Sequence, residues 1–274
     1  MFIISSLEAG RLLHAKGEFT SSLDLGISTV KLNVERGIVH FPDGQEVPMD
    51  DLKKPAKENC CYLVEENQLK KIALFSDETQ RLYKLLPTLS APTIEISGIR
   101  MHRTSERNPW EDTEDKIGSI KPRGIVLDTC TGLGYTAILA SKTADEVITV
   151  EIDPNVRTIA SYNPWSNELF TSQKIKSLMG DIEEVTPTFP DRKFDAVIHD
   201  PPSFKIAGEL YSLKFYRELY RILKPGGKLF HYTGRPGGNT NNQDLGLSVM
   251  KRLKEAGFIN IIRYDAALGI VAMR

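Results

Sequence analysis

The sequence is short of several things, and each shortage removes a class of protein. It has 3 cysteines in 274 residues. Cys60 and Cys61 are adjacent and Cys130 stands alone, so neither a disulfide framework nor a C-x-x-C metal pair can be written. That usage fits a reducing compartment, and a cytoplasmic location is the expectation. The opening residues hold no basic leader and no long apolar run, so neither a signal peptide nor a membrane span is read. Charge excess is missing as well: 35 Lys and Arg face 36 Asp and Glu, a net charge of −1. Residues 1–122 carry 16 basic against 19 acidic side chains, and residues 123–274 carry 19 against 17. Neither half has the broad basic footprint common in nucleic-acid binders, although a local patch would escape such a count. No internal repeat or low-complexity segment is present, which excludes solenoids and long disordered linkers.

What is present divides the chain by pattern. Residues 1–97 are mostly strand-like and read as a small β-rich domain suited to holding a substrate. Val30, Leu32 and Val34 alternate with polar residues up to a turn at Glu35-Arg36-Gly37, and a strand returns over 38–41. Segments 62–64 and 72–75 read as a second hairpin closed through Glu65-Glu66-Asn67, with a short helix predicted over 76–86. Residues 98–122 read as a bridge or lid, with Asn108 as an N-cap, Pro109 at the first helical position and Glu111 and Asp112 in the first turn.

From Gly124 strands alternate with helices. Strands are predicted at 125–127, 147–150, 176–179, 194–199, 228–232, 258–263 and 269–273, and helices at 134–143, 154–161, 209–222 and 245–256. Such alternation predicts an α/β domain over 123–274, doubly wound, with a mostly parallel seven-stranded sheet covered on both faces. The connection over 264–268 is too short for a parallel crossover, so the C-terminal strand should run antiparallel.

The first strand leads into Asp128-Thr129-Cys130-Thr131-Gly132-Leu133-Gly134. Gly132 and Gly134 permit a tight turn and close approach of a ligand to the backbone. A carboxylate at the strand end is a poor partner for a pyrophosphate and a good one for a cationic cofactor. Glu151 ends the second strand, where a carboxylate can accept both ribose hydroxyls of an adenosine. Gly180-Asp181-Ile182 follows the third, with Asp181 able to serve as a helix cap instead. Asp200-Pro201-Pro202-Ser203-Phe204 follows the fourth. There a carboxylate and a prolyl carbonyl can accept from an amino group, the prolines stiffen the corner, and an aromatic ring can stack a base.

These residues together resemble the class I (Rossmann-like) S-adenosylmethionine-dependent methyltransferases over about residues 109–274. The runs at 208–221 and 229–232 are similar to a group of predicted archaeal methyltransferases. The resemblance implies S-adenosyl-L-methionine as cofactor, bound by Asp128, Gly132, Gly134, Glu151, Ile152, Asp181, Ile182 and Asp200, with no metal. It implies methyl transfer at Asp200, Pro201, Pro202 and Phe204. The D-P-P-x-F spelling is similar to that of some ribosomal RNA methyltransferases, so a nucleobase nitrogen in RNA (tRNA or rRNA) is the expected acceptor. Ser203 departs from the commoner D-P-P-aromatic form, which leaves the methylated atom open. No cysteine follows Cys130, which disfavours the thiolate chemistry of cytosine-C5 transfer.

Other readings stay open. An aminopropyltransferase related to spermidine synthase shares the fold, but its glycine-richer first motif does not match. Methylation of a protein or small amine, and a catalytically inert RNA- or partner-binding subunit, are further alternatives. His102, His199 and His231 could be bases or structural residues. Arg235, in the glycine-rich run 232–239, could meet a phosphate. Both tryptophans occur in Asn-Pro-Trp, at Trp110 and Trp165, and could stack bases or pack a core.

Overall fold

The computed structural model describes residues 1–234 and 245–274. The chain forms two compact units, Met1–Trp110 with Asn155–Asn167, and Glu111–Pro154 with Glu168–Arg274.

The first unit begins with β1 (Phe2–Ser5) and α1 (Ser6–Leu12). This helix has a start signal: the Ser5 hydroxyl accepts the Glu8 N–H at 3.0 Å, a serine followed three residues later by glutamate. Strands β2 (Gly17–Ser21), β3 (Val30–Glu35), β4 (Ile38–His40) and β5 (Glu46–Pro48) form an antiparallel sheet in sequence order. The expected strand, turn and return around Arg36-Gly37 are therefore present. Strands β6 (Cys61–Glu65) and β7 (Gln68–Lys71) pair with β1 in the order β1-β6-β7. Strands β8 (Ala73–Ser76), β9 (Arg81–Leu86), β10 (Thr93–Ile96) and β11 (Ile99–Arg100) form a third antiparallel sheet. Ile4, Leu12, Leu32, Val39, Leu52, Cys60 and Val64 share one core. Burial pushes the Cys60 thiol up to about 11, which keeps it a packing residue.

Two expectations fail here. The second hairpin closes on 68–71, not 72–75. Glu66 and Asn67 both have positive φ (56° and 62°), a two-residue turn that sets Glu65 directly opposite Gln68. The predicted helix over 76–86 is a turn followed by β9. Tyr83 and Leu85 are both 0% exposed while Arg81 lies outside, so the period is that of a strand.

Helix α2 (Pro109–Ile120) leads toward the second unit, with the Asn108 side-chain oxygen accepting the Trp110 N–H at 3.0 Å. The two tryptophan rings stand 5.0 Å apart, and Trp165 Nε1 donates to the Leu25 carbonyl at 3.1 Å. The alternating region runs β12 (Ile125–Asp128), α3 (Tyr135–Ser141), β13 (Glu146–Glu151), α4 (Pro154–Ser161), α5 (Asn167–Thr171), β14 (Ile175–Met179), α6 (Ile182–Val185), β15 (Phe194–His199), α7 (Leu213–Ile222), β16 (Leu223–Tyr232), α8 (Leu245–Ala256), β17 (Ile259–Tyr264) and β18 (Gly269–Met273). The sheet order is β14-β13-β12-β15-β16-β18-β17. β14 to β16 run parallel, and β18 is antiparallel to both its neighbours. The doubly wound, mostly parallel seven-stranded sheet is as expected. Leu127, Ile148, Val197, Phe215, Leu219 and Leu229 belong to its core, each contributing about 1.5–3 kcal/mol through burial.

Residues 223–227, between the helix expected to end at 222 and the strand expected to start at 228, enter β16. Phe194 pairs with Leu223 and Ala196 with Lys228, so a bulge absorbs the intervening residues. A side chain on Gly227 would meet the Lys224 carbonyl oxygen at 2.8 Å. The chain winds away in both directions from β12 and β15. Such a reversal of strand order opens a crevice at the carboxyl ends of the strands, where ligands bind in open α/β sheets.

Candidate functional site

The carboxyl end of β12 passes into a loop tied to both neighbouring strands. The Thr129 N–H donates to the Ile198 carbonyl and the Thr131 N–H to the Val150 carbonyl, each at 3.0 Å. Gly132 has φ +54° and Gly134 φ +81°. A Cβ on Gly134 would meet Leu169 at 2.8 Å, whereas one on Gly132 would meet nothing within 4 Å. The two glycines therefore do different work. Gly134 admits close packing behind the loop, and Gly132 leaves open space in front of it.

Asp128 lies beneath this loop, 0% exposed. Its Oδ1 accepts from the Thr136 hydroxyl at 3.0 Å and its Oδ2 from the Thr149 hydroxyl at 2.7 Å. Burial pushes its carboxyl up to about 7, the two hydroxyls oppose the rise, and Asp200 and Glu151 add to it. Glu151, at the tip of β13, joins the two loops: Oε2 accepts the Gly132 N–H at 2.8 Å and Oε1 the Asp153 N–H at 2.9 Å. Burial raises its carboxyl too, with these backbone donors working against the shift. Ile152 beside it is 65% exposed. The Gly180 N–H donates to the Glu151 carbonyl at 2.8 Å, which brings the β14 loop next to β13. Asp181 caps α6, accepting the Glu183 N–H at 2.9 Å, and Ile182 packs into the core.

On the other side of the reversal, Asp200 follows β15. Its Oδ2 accepts from Lys116 Nζ at 2.6 Å, and Lys116 also bonds Asp112 Oδ2 at 2.9 Å. No hydrogen bond reaches Asp200 Oδ1 among the described residues. Burial raises the Asp200 carboxyl above the usual range while Lys116 pulls it back. Pro201 is buried, and the Pro202 carbonyl accepts from the Tyr211 hydroxyl at 3.0 Å. Phe204 is 43% exposed and meets the Tyr211 ring edge-on at 5.5 Å.

His199 and His231 are both 0% exposed. His199 Nε2 faces the Leu210 carbonyl at 3.0 Å, which can only accept, so Nδ1 accepts from the Thr129 hydroxyl at 2.7 Å. Burial lowers its pKa to about 4. His231 Nε2 pairs with the Tyr216 hydroxyl at 2.8 Å, and burial drives it well below its ordinary value. Both rings are neutral packing groups behind the strand tips. His102 lies in the first unit, bonded through Nδ1 to the Thr93 hydroxyl at 2.9 Å. Cys130 is half-buried, with its thiol pushed up by burial. Arg235 lies outside the described residues. Among those described, no group of three or more His, Cys, Asp or Glu could hold a metal, and no helix is long and apolar enough to cross a membrane.

Sequence reasoning missed Lys116, Asp112 and Tyr211. For α2 a signal existed: its inward face is polar, with Asp112, Thr113 and Lys116 at most 4% exposed. A capped helix with few apolar residues must bury something polar, and an i, i+4 Asp–Lys pair is the natural content.

Comparison with known proteins agrees with this architecture. The methyltransferase domain family matches residues 127–231. Uncharacterized protein MJ1233 of Methanocaldococcus jannaschii is 47% identical over all of this chain and 96% of that protein. Polyamine aminopropyltransferase 2 of Streptomyces coelicolor is 27% identical over 50% of this chain and 26% of its own length. Among solved structures, spermidine synthase in complex with the transition-state analogue AdoDATO superposes with a TM-score of 0.60 at 18% identity, covering 73% of this chain and 72% of that one.

Proposed function

We propose that this chain, which belongs to one family with the M. jannaschii protein and matches the methyltransferase domain over residues 127–231, is a class I (Rossmann-like) enzyme that transfers a methyl group from S-adenosyl-L-methionine to a nucleobase nitrogen in RNA (tRNA or rRNA), in the cytoplasm. The observation that carries this reading is the Asp200-Pro201-Pro202 corner at the point where strand order reverses. It has one carboxylate oxygen open and a half-exposed Phe204 ring close by.

The residues at the other side of the crevice fit the cofactor. Open space in front of Gly132 admits a ligand against the backbone. Glu151 stands at the strand tip to accept ribose hydroxyls, Asp181 to receive the adenine amino group, and Ile152 to cover one face of the ring while Ile182 backs it. Asp128 supplies negative charge from below. When bound, the cofactor supplies an electrophilic methyl on a cationic sulfur. Asp200 Oδ1 accepts a hydrogen bond from the acceptor N–H and turns the nitrogen lone pair toward that methyl. Phe204 stacks the base. After transfer the proton leaves the nitrogen for solvent, because both neighbouring histidines are buried.

The first unit adds support for a polyanionic substrate. It has an open cleft of about 480 Å³ lined by His14, Lys16 and Arg36 and by no acid. Lys16 and Arg36 make no ion pair among the described residues, so both are available to phosphates. A second reading, aminopropyl transfer to an amine, is favoured by the likeness to the Streptomyces coelicolor aminopropyltransferase.

Incubation with methyl-tritiated S-adenosylmethionine and total RNA, total protein or polyamines in parallel tests the proposal, beside the same acceptors with decarboxylated cofactor. Label in RNA alone is expected. Label in protein alone removes the RNA claim, and product only from decarboxylated cofactor and polyamine replaces methyl by aminopropyl transfer. Calorimetry with wild type and Glu151→Ala tests whether the tip of β13 holds the cofactor, and binding without transfer of label to any acceptor would mark an inert scaffold.

A further inference from the structure

Methyl transfer at the Asp200 corner uses the carboxylate and leaves its partner unexplained. Lys116 is 4% exposed, and a lysine is almost never buried unless it is paired. Its ammonium lies between two carboxylates, 2.6 Å from Asp200 Oδ2 and 2.9 Å from Asp112 Oδ2, and 4.5 Å from the centre of the Tyr232 ring. The three elements that meet here are α2, the loop after β15 and the end of β16. As a device for stability this is a poor choice, because well-packed apolar residues of similar volume usually serve as well as a buried ion cluster or better. Its geometry has another consequence. With Oδ2 anchored, rotation of the Asp200 carboxylate is restrained, and Oδ1 is held toward one side.

We propose that Lys116, steadied by Asp112, is the positioning residue for Asp200, so that α2 forms part of the active site although it lies outside the matched methyltransferase region 127–231. The inference rests on Asp200 facing the acceptor. Lys116 does not touch the reacting atoms. It fixes which oxygen of Asp200 meets the acceptor, and it keeps that oxygen ionised and therefore able to accept a hydrogen bond. Among the described residues, the other ionisable groups around Asp200 are Asp112 on α2, Asp128 at the end of β12, Cys130 in the following loop, Tyr211 before α7 and, across Lys116, Tyr232 at the end of β16. The acids among them disfavour its charge, and among the described residues Lys116 is the cation that offsets them.

The test compares wild type with Lys116→Met and Lys116→Arg, using methyl-tritiated cofactor and total RNA. For Lys116→Met, kcat should fall about 100-fold while cofactor Kd by calorimetry stays within about threefold. The acid limb of its kcat–pH profile should move upward by about one unit, since Asp200 then protonates more easily. Lys116→Arg should recover at least about tenfold of the loss and return the acid limb toward wild type, because the cation remains although its reach differs. An unchanged kcat, or an acid limb that does not move, overturns the proposal. So does a loss of cofactor affinity as large as the loss of rate, which would mark Lys116 as merely structural. If Lys116→Met does not fold, Lys116→Arg and Lys116→Gln carry the same comparison.

A measurement free of acceptor separates this proposal from the function it rests on. The Asp200 carboxyl carbon, assigned by its absence in Asp200→Asn, can be followed by ¹³C NMR through a pH titration. It should titrate at higher pH once the Lys116 ammonium is gone, and an unaltered titration overturns the positioning role. Should no RNA, protein or polyamine take label from wild type, the functional reading fails, and the NMR titration still decides whether Lys116 governs Asp200.

Discussion

Asp128 and Glu151, on the β12–β13 side of the crevice, are held by hydroxyls and backbone N–H groups, whereas Asp200, on β15, is held by the ammonium of Lys116. All three are acids at strand tips and burial raises all three, yet only Asp200 has a cation set against it. Each oxygen of Asp128 and Glu151 accepts from one neutral donor, which leaves their charge uncompensated, so burial raises both carboxyls. That half of the crevice suits a cation. Asp200 already has a counterion and offers a single oxygen, which suits an uncharged N–H. The difference teaches that one row of acids can divide a site into a half for a cationic donor and a half for a neutral acceptor, the deciding factor being what stands behind each carboxylate.

The largest effect that could break this division is expected at Asp200. Asp200→Asn keeps the shape and removes the charge, so kcat should fall at least about 100-fold through lost orientation, with cofactor affinity unchanged within about threefold. A parallel loss of affinity would place Asp200 in the donor half and collapse the distinction. Glu151→Ala is the mirror test. Hydrogen bonds to a charged group contribute about 1.5–3 kcal/mol, so cofactor Kd should rise roughly 30-fold by calorimetry. The rate at saturating cofactor should change little.

How far this chain is legible in its sequence depends on whether a feature is local. The β12 loop, the acid at the tip of β13 and the prolines after β15 each follow a strand whose apolar run is visible, so the sequence alone singles out Asp128, Glu151 and Asp200. The seven-stranded sheet follows from alternation, and its antiparallel edge from a five-residue connection. What stays hidden is partnership across distance. Lys116 and Asp200 are 84 residues apart, and nothing in either segment names the other. The hairpin at Glu66-Asn67 defeats a sequence reading for a different reason. Its turn is visible, but register is set by turn type, and the extra strand-like residues that follow belong to another sheet. Ser5 and Glu8 spell a helix start that is masked by the strands around it.

A third test sharpens the comparison through pH. With its carboxyl raised from 3.8 to about 7, Asp128 binds a proton more tightly folded than unfolded. Its contribution to stability is therefore fully present below about pH 4 and is lost as pH rises toward 7. Asp128→Asn avoids that loss. The variant should gain on wild type by on the order of 2 kcal/mol between pH 5 and pH 8, seen as a widening gap in Tm. A cationic cofactor should lower the Asp128 pKa and release a proton on binding near neutral pH. Calorimetry in buffers of different ionisation enthalpy would detect that proton, and Asp128→Asn should abolish it. An equal gap at both pH values would mean that Asp128 carries no uncompensated charge.

The smallest expected effect belongs to Phe204, and it examines the acceptor half by itself. The ring is 43% exposed and its one aromatic neighbour is Tyr211 among the described residues. Replacing it by leucine removes little buried surface, so Tm should not move measurably. Leucine keeps the apolar contact and loses the π face, and base stacking on an aromatic contributes about 1–3 kcal/mol when the ring is removed outright. The partial loss should raise KM for RNA about fivefold, leaving cofactor affinity and the Asp128 proton release as in wild type. A KM that stays put while polyamine or protein acceptors remain inactive would mean that no base stacks on Phe204. The neutral half would then have to take its acceptor through Asp200 alone.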